Sequence, residues 1–200
     1  SLHAVIGILA AVVERQRSGL GQYIDISMTD CVASLNSMAA SASLAGQTPQ
    51  APEQGMLNGA SFYDYYETKD GRYFSVGSLE PQFMAGLAAA LELPLLLAKG
   101  TSFDPEDRQA VKQALQKKFK TQDFVVWQQL FKTLDICVEP VLSLDEALVS
   151  PIAEQRGWVV DVPLSENSEQ TEAQLACPIK FSRSQIKYAF IGQGLGEGKW

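Results

Sequence analysis

Residues 60–79 read ASFYDYYETKDGRYFSVGSL, and they restrict the fold more than any other stretch of the chain. Asp70-Gly71 sits between two runs rich in tyrosine, phenylalanine and valine. Asp-Gly suits the positive φ angles of a tight hairpin turn, while aromatic and β-branched residues favour a half-buried strand. The pattern predicts a β-hairpin with aromatic residues on both strands. Its second strand runs out at Glu80, and Pro81 follows directly. A proline holds the residue before it extended and is itself well suited to the first turn of a helix. A helix is therefore expected from Pro81 to about Leu93, with Phe83, Met84, Leu87 and Leu91 on one face and Pro94 closing it.

Around this hairpin the chain is mostly helical in pattern. Leu2, Val5, Ile6, Leu9, Val12 and Val13 recur at helical spacing, and Ser18-Gly19 stop that helix. Tyr23 to Ile26 read as a short buried strand, and a small-residue helix is expected from about Thr29 to Leu44. Helix, strand, helix is half of an α/β layer with too few strands for a sheet, so this piece needs further partners. Residues 46–60 are rich in Gly, Pro, Gln and Asn and read as a linker or an active-site loop. Asp104 should cap a helix that opens at Pro105, and Thr121 the next one, whose Trp127 and Phe131 belong to a core. Ser143 and Glu146 stand at capping-box spacing. "RGWVVDV" reads as a strand, Leu164 to Ala173 as a polar crossing segment, and the tail shows little regular pattern.

Composition excludes several classes of function. The chain has 46% hydrophobic and 20% charged residues, ordinary for a globular protein. Its formal charge is −7, and its basic residues form no long patch, which argues against nucleic acid or an anionic membrane as partner. No apolar run is long enough for a membrane helix. Cys31, Cys137 and Cys177 are an odd, widely spaced set and read as buried free thiols of a reducing compartment, the cytoplasm. His3 is the single histidine and falls on the apolar face of the first helix as a packing residue, so no histidine-based metal site is expected. The chain opens without methionine and within a helix pattern, as the cut end of a longer protein would.

Glu80 is the candidate for chemistry. Glutamate is not a favoured N-cap, so its place at a strand-to-helix corner is either a solvated structural position or a deliberate one. The positive end of the helix dipole suits an anion there. A carboxylate so placed can orient a histidine base as the third member of a triad does. Tyr63, in the first strand of the hairpin, offers a phenol beside an apolar body. With His3 assigned to packing, the histidine must come from elsewhere.

"GQYIDISM", "LNGASFYDYYETKDGRYFSVGSLEPQF", "CVEPVLSLDEA" and the terminal "GLGE" together resemble the CaiB/BaiF family, the family III CoA-transferases, and within it the racemase branch. The resemblance runs over nearly the whole chain and in order. It implies an α/β fold class: the small α+β domain of a CaiB/BaiF-type fold plus partial pieces of its Rossmann-like large domain. On that pattern residues 1–45 are a large-domain remnant, 46–152 the small domain, and 153–200 a crossing segment that returns to the large domain. The resemblance implies epimerisation of a 2-methylacyl-CoA thioester, with a His and an Asp acting as bases on opposite faces of the α-carbon. Both bases match positions upstream of Ser1, so this C-terminal part is expected to be inactive alone.

By the same resemblance Glu80 orients the absent histidine, Tyr63 is an active-site tyrosine, and Leu57, Asn58 and Gly59 form an acyl-facing loop. Asn58 stands where racemases often carry Asp. Read by itself, the loop is equally a simple turn. No cofactor is expected beyond coenzyme A as part of the substrate. The implied partners are the acyl-CoA and a second copy of the chain in an interlocked homodimer; the apolar first helix also points to self-association. A CoA-transferase working through an upstream nucleophilic Asp is the alternative. A non-catalytic dimerisation or interaction module is another.

Overall fold

A computed structural model describes residues 1–48, 51, 54–57 and 59–192. The elements in chain order are α1 (Leu2–Ser18), α2 (Met28–Leu35), α3 (Ser37–Leu44), β1 (Asp64–Glu67), β2 (Tyr73–Val76), α4 (Pro81–Ala90), α5 (Pro94–Lys99), α6 (Pro105–Phe119), α7 (Phe124–Phe131), β3 (Val138–Pro140), α8 (Leu144–Leu148), α9 (Pro151–Arg156), β4 (Val159–Pro163) and β5 (Thr171–Leu175). The fold is mixed α/β, with one three-stranded sheet ordered β1-β2-β3 and one two-stranded sheet, β4-β5. The chain divides into two compact units, residues 1–64 with 77–115 and residues 65–76 with 116–200.

In the first unit, α1 ends where Gly19 turns left-handed (φ 76°) and donates its N–H to the Arg15 carbonyl. None of its residues is buried, and Leu2, Ile6 and Leu9 are more than half exposed. His3 is exposed too, so the expected packing role does not hold. Residues 21–27 are not a strand. The apolar pattern is present, but no described segment pairs with this backbone, and a strand exists only through a neighbour's hydrogen bonds. The segment lies against α1 instead: a Cβ added at Gly7 would come within 2.9 Å of Ile26 Cδ1 and 3.4 Å of Ile24 Cγ2. The expected helix from Thr29 to Leu44 is interrupted at Asn36, whose N–H turns back to the Ala33 carbonyl (3.2 Å) and separates α2 from α3.

The same unit has a denser part. Met84, Leu87 and Ala88 of α4 are buried, as are Leu91, Leu96 and, on α6, Val111 and Leu115. Gly100 permits the close turn after α5, because a Cβ there would sit 2.5 Å from the Leu96 carbonyl oxygen and 2.8 Å from Met84 Sδ. Asp104 caps α6 as expected: its Oδ1 accepts the Glu106 N–H at 2.7 Å.

An aromatic core builds the second unit. Phe74 is fully buried, with its ring 4.9 Å from Phe124, 5.5 Å from Phe131 and 6.0 Å from Phe119. Tyr66 stacks on Phe119, and Trp127 on Phe131. Trp127 Nε1 donates to the Phe119 carbonyl at 2.8 Å, so the indole is buried without an orphaned donor. β2 pairs antiparallel with β3, Ser75 opposite Glu139 and Val76 opposite Val138.

The hairpin turn is held from three sides. Gly71 takes φ 82°, the Thr68 N–H donates to the Arg72 carbonyl, and Asp70 Oδ1 accepts from the Thr68 hydroxyl and the Phe124 N–H. Arg72 lays its guanidinium over the Phe124 ring and pairs with Glu146 at 2.7 Å. Glu146 and Ser143 close the expected capping box of α8. Thr121 does not cap α7: its hydroxyl donates to the Lys118 carbonyl, and Asp123 takes the N-cap position. Residues 164–173 are not simply a crossing segment, since Thr171 to Leu175 pair in register with Val159 to Pro163. None of the three cysteines forms a disulfide and none is buried, Cys137 being exposed and Cys31 and Cys177 partly so.

Removing the Phe74 ring deletes contacts to three aromatic neighbours at once. Phe74→Ala is expected to cost about 3–5 kcal/mol in denaturant unfolding; a loss under about 1 kcal/mol would contradict the core described here. Hydrogen bonding, first from Thr68, holds the Asp70 carboxyl below its ordinary value, and the Ser143 N–H, helped by the Arg72 charge, does the same for Glu146. A lowered folded pKa gives stability that is present above the unfolded value and lost as pH falls through the folded one. Unfolding midpoints should therefore fall as pH drops below the ordinary carboxylate values of 3.8 and 4.5. Asp70→Asn should flatten part of that fall, and an unchanged profile would show that Asp70 does not contribute.

Candidate functional site

The described candidate site residues Leu57, Gly59, Tyr63 and Glu80 all lie in the first unit. Glu80 is the N-cap of α4, with φ −67° and ψ 142°, and Pro81 opens the helix. The extended backbone is what a following proline imposes. Its carboxylate makes no cap hydrogen bond, although free N–H groups of the first turn lie beside it. The Glu80 carbonyl accepts the Met84 N–H at 2.9 Å, so the backbone starts the helix while the exposed side chain stays uncommitted to it.

Tyr63 immediately precedes β1 and is 40% exposed. Its N–H donates to Ser61 Oγ at 3.1 Å, and the Ser61 hydroxyl donates to the Met56 carbonyl at 2.6 Å. Ser61 and Phe62 are buried, which seats the base of this loop and leaves the tyrosine ring on the surface. Leu57 is 61% exposed, at the outer edge of the same loop. Gly59 takes φ 85°, a left-handed conformation that favours glycine, and forms a short parallel bridge with Gly55. Asn58 lies outside the described residues. Gly55 and Gly59 thus come together, and the apolar side chains of Met56 and Leu57 stand exposed to solvent.

Sequence reasoning missed Lys112 on α6. Its ammonium donates to the Gly59 carbonyl (3.0 Å) and pairs with Asp64 Oδ2 (2.6 Å), spanning the end of the loop. No local sequence signal marks such a contact, because a lysine between Val111 and Gln113 on a largely polar helix reads as solvated.

The chemistry available here is that of an orienting carboxylate, a phenol and an apolar loop. A histidine base is not brought to Glu80 in the described geometry; His3 stands exposed in the first turn of α1. Among the described residues no group of three or more His, Cys, Asp or Glu side chains is arranged to hold a metal ion. No helix among them is long and apolar enough to cross a membrane.

The sequence model of CoA-transferase family III matches residues 1–192. The chain is 40% identical over 151 residues to the α-methylacyl-CoA racemase of Mus musculus, an alignment covering 74% of this chain and 39% of that protein. To the Homo sapiens α-methylacyl-CoA racemase it is 34% identical over 160 residues, covering 78% of this chain and 41% of the relative. The chain spans about two fifths of the length of these relatives. In three dimensions it is similar to a CAIB/BAIF family protein from Brucella suis, with a TM-score of 0.73 at 22% identity, over 98% of this chain and 51% of that one. That likeness concerns the fold.

Proposed function

The chain belongs to CoA-transferase family III, and from that membership we propose that it serves in an enzyme of the α-methylacyl-CoA racemase kind, epimerising 2-methylacyl-CoA thioesters. The observation that carries this reading is Glu80. Its backbone is fixed by Pro81, while its carboxylate is exposed and makes no cap hydrogen bond. A glutamate that neither caps nor packs is available to act on another group. The identity to mammalian α-methylacyl-CoA racemases supports this reaction over CoA transfer within the family.

Epimerisation requires the weakly acidic α-proton to leave on one face and a proton to return on the other. Glu80 would accept a hydrogen bond from a histidine base other than His3, fixing its tautomer and stabilising its protonated form. That histidine, and the base on the opposite face, are supplied from outside these 200 residues. Tyr63 contributes its phenol at the site, and the loop carrying Leu57, Asn58 and Gly59 receives the acyl chain. Coenzyme A enters as part of the substrate. On this reading residues 46–152 form a small domain, residues 1–45 and 153–200 belong to a large one, and the enzyme works as a cytoplasmic homodimer.

The test uses the full native gene product in deuterated buffer with a single epimer of a 2-methylacyl-CoA. Deuterium should enter the α-position as the epimers equilibrate, and Glu80→Gln should lower kcat by about a hundredfold or more with KM little changed. The 200-residue chain alone should exchange no α-proton. Movement of CoA to a free carboxylic acid without α-exchange would replace this reading with a CoA-transferase.

A further inference from the structure

We infer that Lys112 is a positioning residue for the acyl-chain subsite, holding the loop segment from Gly59 to Asp64 from its seat on α6. This rests on the reading of that loop as acyl-facing. The loop is closed on itself by the Gly55–Gly59 bridge, by the Ala60 N–H donating to the Gly55 carbonyl (3.2 Å), and by the Ser61 hydroxyl donating to the Met56 carbonyl. Those bonds are internal to the turn, whose base is seated by the buried Ser61 and Phe62.

Lys112 supplies an anchor. One ammonium donates to the carbonyl of Gly59, the residue in the left-handed conformation, and pairs with Asp64, where the loop enters β1. The side chains of Lys112 and Asp64 are 27% and 36% exposed, so the pair is partly shielded from solvent. Charge-assisted hydrogen bonds are stronger than neutral ones, and partial burial reduces their screening by salt.

What the clasp holds in place is an apolar edge. Met56 and Leu57 are 42% and 61% exposed, and their positions follow from the path of the backbone that Gly59 closes. A preformed apolar surface binds a flexible chain with less ordering cost than one that must first be organised. With its charge committed to Gly59 and Asp64, Lys112 acts on the acyl chain through the loop and not as a ligand for the phosphates of coenzyme A.

Lys112→Met and Lys112→Arg in the full native gene product decide the matter, read by amide hydrogen exchange and by titration with 2-methyldecanoyl-CoA and with free coenzyme A. Lys112→Met is expected to speed exchange of amides in residues 55–61 and to weaken acyl-CoA binding, each by about tenfold, the scale of one lost charge-assisted bond. Affinity for free coenzyme A and exchange in β2 should stay unchanged, and Lys112→Arg should recover most of both losses. Unchanged acyl-CoA affinity in Lys112→Met, equal loss for acyl-CoA and free coenzyme A, or no recovery with arginine would each overturn the inference. Wild-type protein that binds the acyl-CoA without exchanging its α-proton would sink the racemase reading while the binding comparison still judged Lys112.

Discussion

The burial of Phe74 among Phe119, Phe124 and Phe131 is the constraint on which the β-hairpin depends. Two four-residue strands are marginal in water and need an apolar face to pack on. Here the inward residues of both strands, Tyr66 on β1 with Phe74 and Val76 on β2, are almost entirely buried. Alternation does the rest, because fixing Phe74 inward fixes the orientation of its neighbours on the pleat. Polar contacts then secure the turn: Asp70 receives the first N–H of α7, and Arg72 joins Phe124 to the capping box of α8. From β2 the chain runs through Gly77 to Leu79 and reaches Glu80, whose backbone angles Pro81 has already chosen.

The features legible in the sequence are those whose cause is local. Asp70-Gly71 dictates a turn, Pro81 an extended glutamate, Asp104-Pro105 a helix start, and Ser143 with Glu146 a capping box; each rests on atoms within a few residues of one another. Where the outcome is set by a distant partner, local pattern fails. Tyr23 to Ile26 carry the composition of a strand, yet strand character belongs to a pair of backbones. The converse holds for Thr171 to Leu175, whose polar sequence gives no reason to expect a strand until Val159 to Pro163 is available to pair with it. Asn36 and Thr121 show a subtler competition. Asn36 breaks one helix into two by turning its backbone N–H to the Ala33 carbonyl, and the Thr121 hydroxyl turns back to the Lys118 carbonyl, a side-chain bond that competes with capping.

The site divides in the same way. The backbone conformation of Glu80 was legible because a proline fixes it, whereas Tyr63, expected within the first strand, stands just before β1. Lys112 was not legible: it lies 53 residues from Gly59 in sequence, and nothing in the run "AVKQAL" distinguishes it from the other lysines of α6. Its partner is the carbonyl of Gly59, a residue held in the left-handed conformation. A residue that organises a loop from another element is a property of the fold, and sequence periodicity assigns it to solvent by default.

The two ends of the first unit differ in what holds them. Around α4 and α6 large apolar side chains are closed off from water, whereas Leu2, Val5, Ile6, Leu9, Val12 and Val13 of α1 are all about half exposed or more. A helix so patterned draws little stability from its own propensity and most from covering its apolar face. Burial is worth roughly 25 cal/mol per Å² of apolar surface, and six aliphatic side chains on one helix represent a large unspent driving force. The Ile24 and Ile26 contacts at Gly7 cover one part of α1 and leave this stripe open. The residues that make α1 a helix therefore also leave on it an apolar stripe that only further burial would satisfy.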